Sequence, residues 1–175
     1  MKPVLIETAP VIDERGFLVV AYNEMELNDR LGDPIRFVQE NHSRSQKTVL
    51  RGLHYQLPPS AQAKLVRVVR GAIFDVVVDI RRSSPSFGQW EGYELSEDNF
   101  RQLLVPTGFA HGFLTLTETT DVLYKTSDYY APERERTIAW DDPEIGIEWP
   151  LRGNDPIVSE KDQAAPSISQ AEVFD

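Results

Sequence analysis

The stretch LRGLHYQ, residues 50–56, places Arg51 three residues before His54, one of only three histidines in the chain. An arginine fork can grip phosphate or carboxylate oxygens, and an imidazole can take or give a proton near neutral pH. Two readings stay open from the stretch alone. The pair either binds and deprotonates a substrate, or consists of a solvated strand-end arginine and a hydrogen-bonded core histidine. KLVRVVR, residues 64–70, raises a similar choice. Strand alternation puts Lys64, Val66 and Val68 on one face and Leu65, Arg67 and Val69 on the other. One cation then faces solvent. The other either snorkels to water or points into an interior mouth, where an anionic ligand would offset its desolvation.

The elements that must position these residues read mostly as strands. GFLVVAY (16–22), RFVQEN (36–41), AKLVRVVR (63–70), AIFDVVVDIR (72–81), WEGYEL (90–95), RQLLV (101–105), GFLTLT (112–117) and DVLYKT (121–126) are short and rich in β-branched and aromatic residues. Gly, Pro, Asn or Ser separates them. NEMELNDRLG (23–32) predicts one short helix, capped by Asn23 and stopped by Gly32. The tail after Pro150 reads as loop. This pattern implies an antiparallel sandwich, jelly roll or barrel.

With 175 residues, 41% of them apolar, the chain can bury the core of one domain spanning 1–175. It has no cysteine, which excludes disulfides, thiolate metal sites and a cysteine nucleophile. A net charge of −10 argues against a nucleic-acid partner, and an anionic substrate would have to meet a local cluster of cations. No run approaches the roughly 18 apolar residues of a bilayer span, and MKPVLIETAPVIDERG carries no apolar signal region. The expectation is a soluble, cytoplasmic protein with no membrane partner.

PTGFAHGF (106–113) contains the pattern Pro-x-Gly-x-x-His, which resembles the second motif of the cupin superfamily. There the histidine, His111 here, often binds a metal together with a His-x-His pair from the first motif. The corresponding piece of this chain is HYQ, with Gln56 in place of the second histidine. Glutamine is a poor transition-metal ligand beside imidazole, so no metal and no other cofactor is expected.

The blocks ERGF, FVQENHS, VLRGLHYQ, QAKLVRVVRGAIFDVVVDIRRSSPSFGQW, PTGFAHGF, LYKTSDYY, IGIEWP and SEKDQAAP follow one another as in the dTDP-4-dehydrorhamnose 3,5-epimerase family, which the chain resembles over almost its whole length. The resemblance implies a mainly β, antiparallel jelly-roll (cupin-like) barrel with one or two short helices, working as a metal-independent homodimer. It implies a dTDP-linked 4-keto-6-deoxyhexose as substrate, inverted at C3 and C5. Both carbons flank the C4 ketone, so losing either proton gives an enolate that reprotonation on the opposite face inverts. By the same resemblance His54 is the base, Asp162 its orienting carboxylate, Tyr124 the acid and Lys64 the cation facing the enolate oxygen. Taken singly, Asp162 also reads as a turn cap and Tyr124 as a core tyrosine.

Substrate contacts implied in the same way are Arg15 and Arg51 to diphosphate and sugar, Arg15 in its own site or, through N-terminal strands exchanged across the dimer, in the neighbouring subunit's, Gln39, Glu40 and Asn41 beside the thymidine, and Tyr130 stacked on the base. His111, Glu135 and Lys161 complete the expected set. One departure is Val20, where the family commonly carries a glutamate, which bears on nucleotide affinity. The competing readings are a mono-epimerase or a 3,4-ketoisomerase relative within the family, and outside it a metal-dependent cupin oxygenase or a non-catalytic sugar-binding cupin.

Overall fold

The structure, a computed structural model, describes residues 1–175. In chain order the elements are β1 (Val4–Ile6), β2 (Val11–Asp13), β3 (Gly16–Leu18), α1 (Glu24–Leu31), β4 (Gln39–Gln46), β5 (Leu50–Gln56) and β6 (Lys64–Arg70). There follow β7 (Ala72–Asp79), β8 (Trp90–Ser96), β9 (Gln102–Val105), β10 (Phe109–Thr115), β11 (Thr119–Thr126), a 3-10 turn (Pro132–Arg134), β12 (Glu135–Thr137) and α2 (Glu160–Gln163). One five-stranded sheet runs β1-β9-β6-β11-β4, a second runs β12-β5-β10-β7-β8, and every pairing is antiparallel. The hairpin β2-β3 stands apart as a two-stranded ribbon. No helix is long and apolar enough to cross a membrane.

The inner faces of the two sheets share one apolar core, in which Val66, Val68, Leu103 and Val122 of the first meet Ile73, Val77, Leu95 and Phe113 of the second. The outer face of the second sheet is closed by the C-terminal tail, where Ile138, Ile145 and Ile168 pack on Leu53, Tyr55 and Val78. The tail after Pro150 is therefore structural, and it contains α2, capped by Ser159. The outer face of the first sheet carries α1 through Leu27 against Leu65 and Leu104. As its sequence predicts, α1 has the Asn23 side chain accepting from the Met25 and Glu26 amides, and Gly32 in the left-handed conformation.

The short strands β1, β2 and β12 were not expected, and three expected strands differ most in their bounds. β3 ends at Leu18 because residues 19–22 find no strand partner, and the hairpin residues Val11, Ile12, Phe17 and Leu18 are exposed. β4 runs five residues further than expected, through HSRSQ, because its alternation is polar on both faces. Gln39, Asn41, Ser43 and Ser45 point toward the interior while Glu40, His42 and Arg44 face out. β10 begins at Phe109, so His111 lies inside a fully buried strand and not in the loop before it.

One close approach governs the site. A Cβ on Gly52 would stand 2.5 Å from Gly112 Cα and 2.9 Å from His111 O, and Gly52 has φ +130°. Only glycine fits there. The two glycines let β5 and β10 meet closely enough to set His54 opposite His111 in register.

Candidate active site

A cleft of about 300 Å³ opens between the sheets, lined by side chains from both. The second sheet supplies His54, and the first supplies Lys64 and Tyr124. His54 Nε2 lies 2.6 Å from Asp162 Oδ1 across 108 residues of sequence, because the tail folds α2 against β5. The Gly52 amide donates to the other carboxylate oxygen at 3.3 Å. Burial alone would raise the Asp162 pKa, but the hydrogen bonds from His54, Gly52 and Ser159 and the nearby imidazole outweigh it and hold the carboxyl below its usual range. With its Nε2–H given to Asp162, His54 carries its lone pair on Nδ1.

Lys64 is the inward cation and Arg67 the outward one, as alternation requires. Lys64 Nζ donates to the backbone carbonyl of His54 at 3.2 Å, which ties the cation to the histidine's own residue. Desolvation lowers the ammonium to a pKa of about 8, although the charges of Asp75 and Glu135 oppose the shift. Tyr124 stands on the facing sheet, with Asn41 beside it in register. Its burial raises the phenol pKa, Arg51 opposes that shift and Glu135 adds to it, so the hydroxyl stays protonated at neutral pH. Proton acceptor, cation and hydroxyl donor thus border one cleft, acceptor and donor on opposite walls.

The remaining expected residues divide. Arg51 reaches from β5 to the other sheet, donating through Nε to Ser45 Oγ at 3.1 Å, and its remaining guanidinium N–H groups have no partner in the chain. Tyr130 stands at the rim and donates from its hydroxyl to Glu135 Oε2 at 2.9 Å, and Lys161 Nζ meets the same oxygen at 2.6 Å. Burial would raise Glu135, but these two partners pull its pKa down. Gln39 and Asn41 line the cleft.

Two of the expected residues lie outside this cleft in the single chain. Glu40 does not face the cleft: as the odd member of the alternating Gln39-Glu40-Asn41, it lies on the outer face and pairs with Lys125. Arg15 is also outside the cleft of its own chain, exposed at the tip of the β2-β3 hairpin and paired with Asp13. His111 is buried behind the cleft wall, its Nε2 2.7 Å from Asp75 Oδ1. Desolvation lowers its pKa against the opposing pull of Asp75.

Sequence reasoning missed Asp75, fully buried, whose Oδ2 has no hydrogen-bond partner in the chain. Its signal was a carboxylate in the apolar run AIFDVVVD. Also missed were Gln62 and Thr126, cleft residues in unremarkable polar contexts. No group of three or more His, Asp or Glu side chains converges as a metal site would require. Both interior histidines already commit Nε2 to a carboxylate.

A family model described as dTDP-4-dehydrorhamnose 3,5-epimerase matches residues 2–170. The dTDP-4-dehydrorhamnose 3,5-epimerase of Pseudomonas aeruginosa is 51% identical over 171 residues, covering 98% of this chain and 93% of that protein. Among solved structures, the dTDP-6-deoxy-D-glucose-3,5-epimerase of Legionella pneumophila, in complex with dTDP-4-keto-L-rhamnose, superposes with a TM-score of 0.93 at 49% identity, covering 96% of this chain and 88% of that one. The 3'-monoepimerase ChmJ of Streptomyces bikiniensis, in complex with dTDP-quinovose, reaches a TM-score of 0.90 at 34% identity, covering 95% of this chain and 84% of that one. The fold is thus shared by a 3'-monoepimerase.

Proposed function

The chain belongs to the dTDP-4-dehydrorhamnose 3,5-epimerase family, and from that premise we propose how its residues carry the reaction. It is an isomerase that epimerises dTDP-4-dehydro-6-deoxy-D-glucose at C3 and C5 to dTDP-4-dehydro-L-rhamnose. His54 Nδ1 takes the proton from the carbon next to the C4 ketone. The C–H electron pair moves into the ring and onto the C4 oxygen as an enolate. Asp162 fixes the productive tautomer and stabilises the imidazolium that forms. The Lys64 ammonium meets the charge developing on the C4 oxygen, in a desolvated site where such a contact is strong. Tyr124 then delivers a proton from the opposite face, and the centre inverts.

The observation that carries this reading is the His54–Asp162 pair on one sheet facing Tyr124 on the other, with Lys64 tethered to the His54 carbonyl. Arg51 holds diphosphate or sugar, its guanidinium aimed by Ser45. Tyr130 supplies a stacking face for the base, with Gln39 and Asn41 beside it. Glu135 and Lys161 form the rim, and His111 acts from behind the wall by holding Asp75.

No metal takes part, a reading supported by the engagement of both histidines and of the Gln56 amide. The enzyme works as a homodimer in the cytoplasm, residues 1–175 forming one domain. Dimerisation is supported by the exposed apolar hairpin, where Val11, Ile12, Phe17, Leu18 and Val20 are each more than 60% exposed in the single chain. Pairing of that hairpin with a second copy would also bring Arg15 toward a cleft that its own chain does not offer. The deciding experiment is proton NMR of the enzyme with dTDP-4-keto-6-deoxyglucose in deuterated water. Deuterium with inversion at both C3 and C5 is expected. Inversion at C3 alone would make the protein a mono-epimerase.

A further inference from the structure

Gln56 ends the LRGLHYQ stretch, is 4% exposed, and spends its side-chain amide entirely on backbone. Its Nε2 donates to Ser60 O at 2.7 Å and Tyr129 O at 3.2 Å, while its Oε1 accepts from the Ala131 amide at 2.9 Å. Two more glutamines grip the same segment. Gln62 Nε2 donates to Asp128 O at 2.7 Å, and Gln39 Oε1 accepts from the Tyr130 amide at 3.4 Å. Four successive backbone positions, 128 to 131, are therefore held by three amides from separate parts of the chain, and all three glutamines border the cleft.

Surface loops ordinarily leave such groups to water. Here the segment carries Tyr130, which is 55% exposed and so is not fixed by packing. What fixes it is its backbone, together with the single hydroxyl bond to Glu135. A planar wall that is already ordered binds more tightly than one that must be ordered on contact, because the lost freedom no longer opposes association.

We propose that Gln56, with Gln62, is a positioning residue of the binding site: it holds the Asp128–Ala131 segment so that Tyr130 stands as a preformed wall against the planar base of a nucleoside diphosphate. The proposal rests on the nucleotide-binding reading above for its ligand and on the amide geometry for its device.

The test uses the full chain and the variants Gln56→Ala, Gln62→Ala, Tyr130→Ala and Gln56→Ala/Tyr130→Ala, each checked for a parental circular dichroism spectrum. In the ligand-free protein, amide hydrogen exchange at Tyr130 should accelerate in Gln56→Ala, although its own acceptor, Gln39 Oε1, is untouched. In dTDP titrations by calorimetry, Gln56→Ala should weaken binding by about 5- to 10-fold. That loss should vanish when Tyr130 is already alanine. An equal loss in both backgrounds, or parental exchange at Tyr130, overturns the proposal. Parent protein that ignores dTDP overturns the nucleotide reading and the stacking role with it, while the exchange arm still decides the device. If Gln56→Ala does not fold, Gln62→Ala carries the same expectations.

Discussion

Asp162→Asn perturbs the site at nearly constant shape, changing one charge and one hydrogen-bond polarity. The carboxylate accepts from His54 Nε2 at 2.6 Å and from the Gly52 amide at 3.3 Å, with Ser159 beside it, and Asp162 is 3% exposed. An asparagine keeps one acceptor. If its oxygen stays on Gly52, its NH2 faces His54, whose Nε2 must then accept and whose proton moves to Nδ1, the atom assigned to attack the substrate. If it turns the other way, its NH2 meets the Gly52 N–H and two donors face each other out of water. Loss of a charge-assisted bond costs about 1.5–3 kcal/mol, or about 10- to 150-fold in rate. Tautomer inversion adds to this, the analogous change in a serine-protease triad reaching about 10⁴-fold. We expect kcat to fall by about 10²- to 10⁴-fold. Deuterium wash-in at C3 and C5, followed by NMR, reads the proton abstraction directly. Wash-in within about threefold of the parent, far below the tautomer penalty, would refute the role of the pair.

Arg51→Ala should raise KM with the smaller effect on kcat, because phosphate or sugar is gripped in ground and transition states alike, whereas Lys64→Ala should lower kcat. Losses confined to KM in both would remove the enolate role of Lys64. The Lys64 ammonium, with its pKa lowered to about 8 by desolvation, loses its charge as pH rises through that value, so kcat/KM should fall on the alkaline side near pH 8. Lys64→Arg, charged throughout, should shift that limb upward if it retains activity, and an unmoved limb assigns it to another group. Dialysis against EDTA should leave the rate unchanged, and a loss restored by a divalent metal would favour the oxygenase-like reading. Phe17→Asp on the exposed hairpin should yield monomers in sedimentation velocity and reduce activity with them; an active monomer would confine the site to one chain.

How far the sequence was legible depended on what each residue faces. β7 and α1 were readable because an apolar run and a capped, Gly-terminated segment state their structure locally. β4 was cut short because its inner residues line a cleft and not the core, which erases the apolar alternation that marks a strand. The same alternation, once the strand is known, removes Glu40 from the site that its neighbours Gln39 and Asn41 occupy. Alternation sets Lys64 and Arg67 on opposite faces but does not say which turns inward; only the family resemblance gave the interior role to Lys64, which the cleft holds. Asp162 lies 108 residues from His54, and no local pattern joins them; only the family resemblance paired them before the tail was seen to fold back. The strand expected at 16–22 stops at Leu18 because the residues beyond it lack a partner within one chain.

The fold cannot be what selects the product, since a 3'-monoepimerase shares it with a TM-score of 0.90. What distinguishes single from double inversion must lie in how the sugar is held relative to one acceptor and one donor. The cleft offers a single dyad-backed imidazole, His54, and Tyr124 faces it from the other sheet. If that one pair serves both carbons, C3–H and C5–H must be presented to Nδ1 in turn. Both carbons adjoin C4, so the motion that exchanges them with least displacement of the enolate oxygen is a pivot of the ring about the C4 oxygen. Lys64 suits such a pivot because an ammonium is a point charge with rotatable donors and, unlike a guanidinium fork, fixes no plane. Its tether to the His54 carbonyl keeps pivot and base at constant separation while the ring turns. The nucleotide end must hold fast meanwhile, the role proposed for Arg51 and the Tyr130 wall. A double epimerase on this scaffold therefore needs a rigid nucleotide grip beside a sugar subsite that tolerates rotation, and product choice should respond to residues that crowd the turning ring more than to the dyad itself.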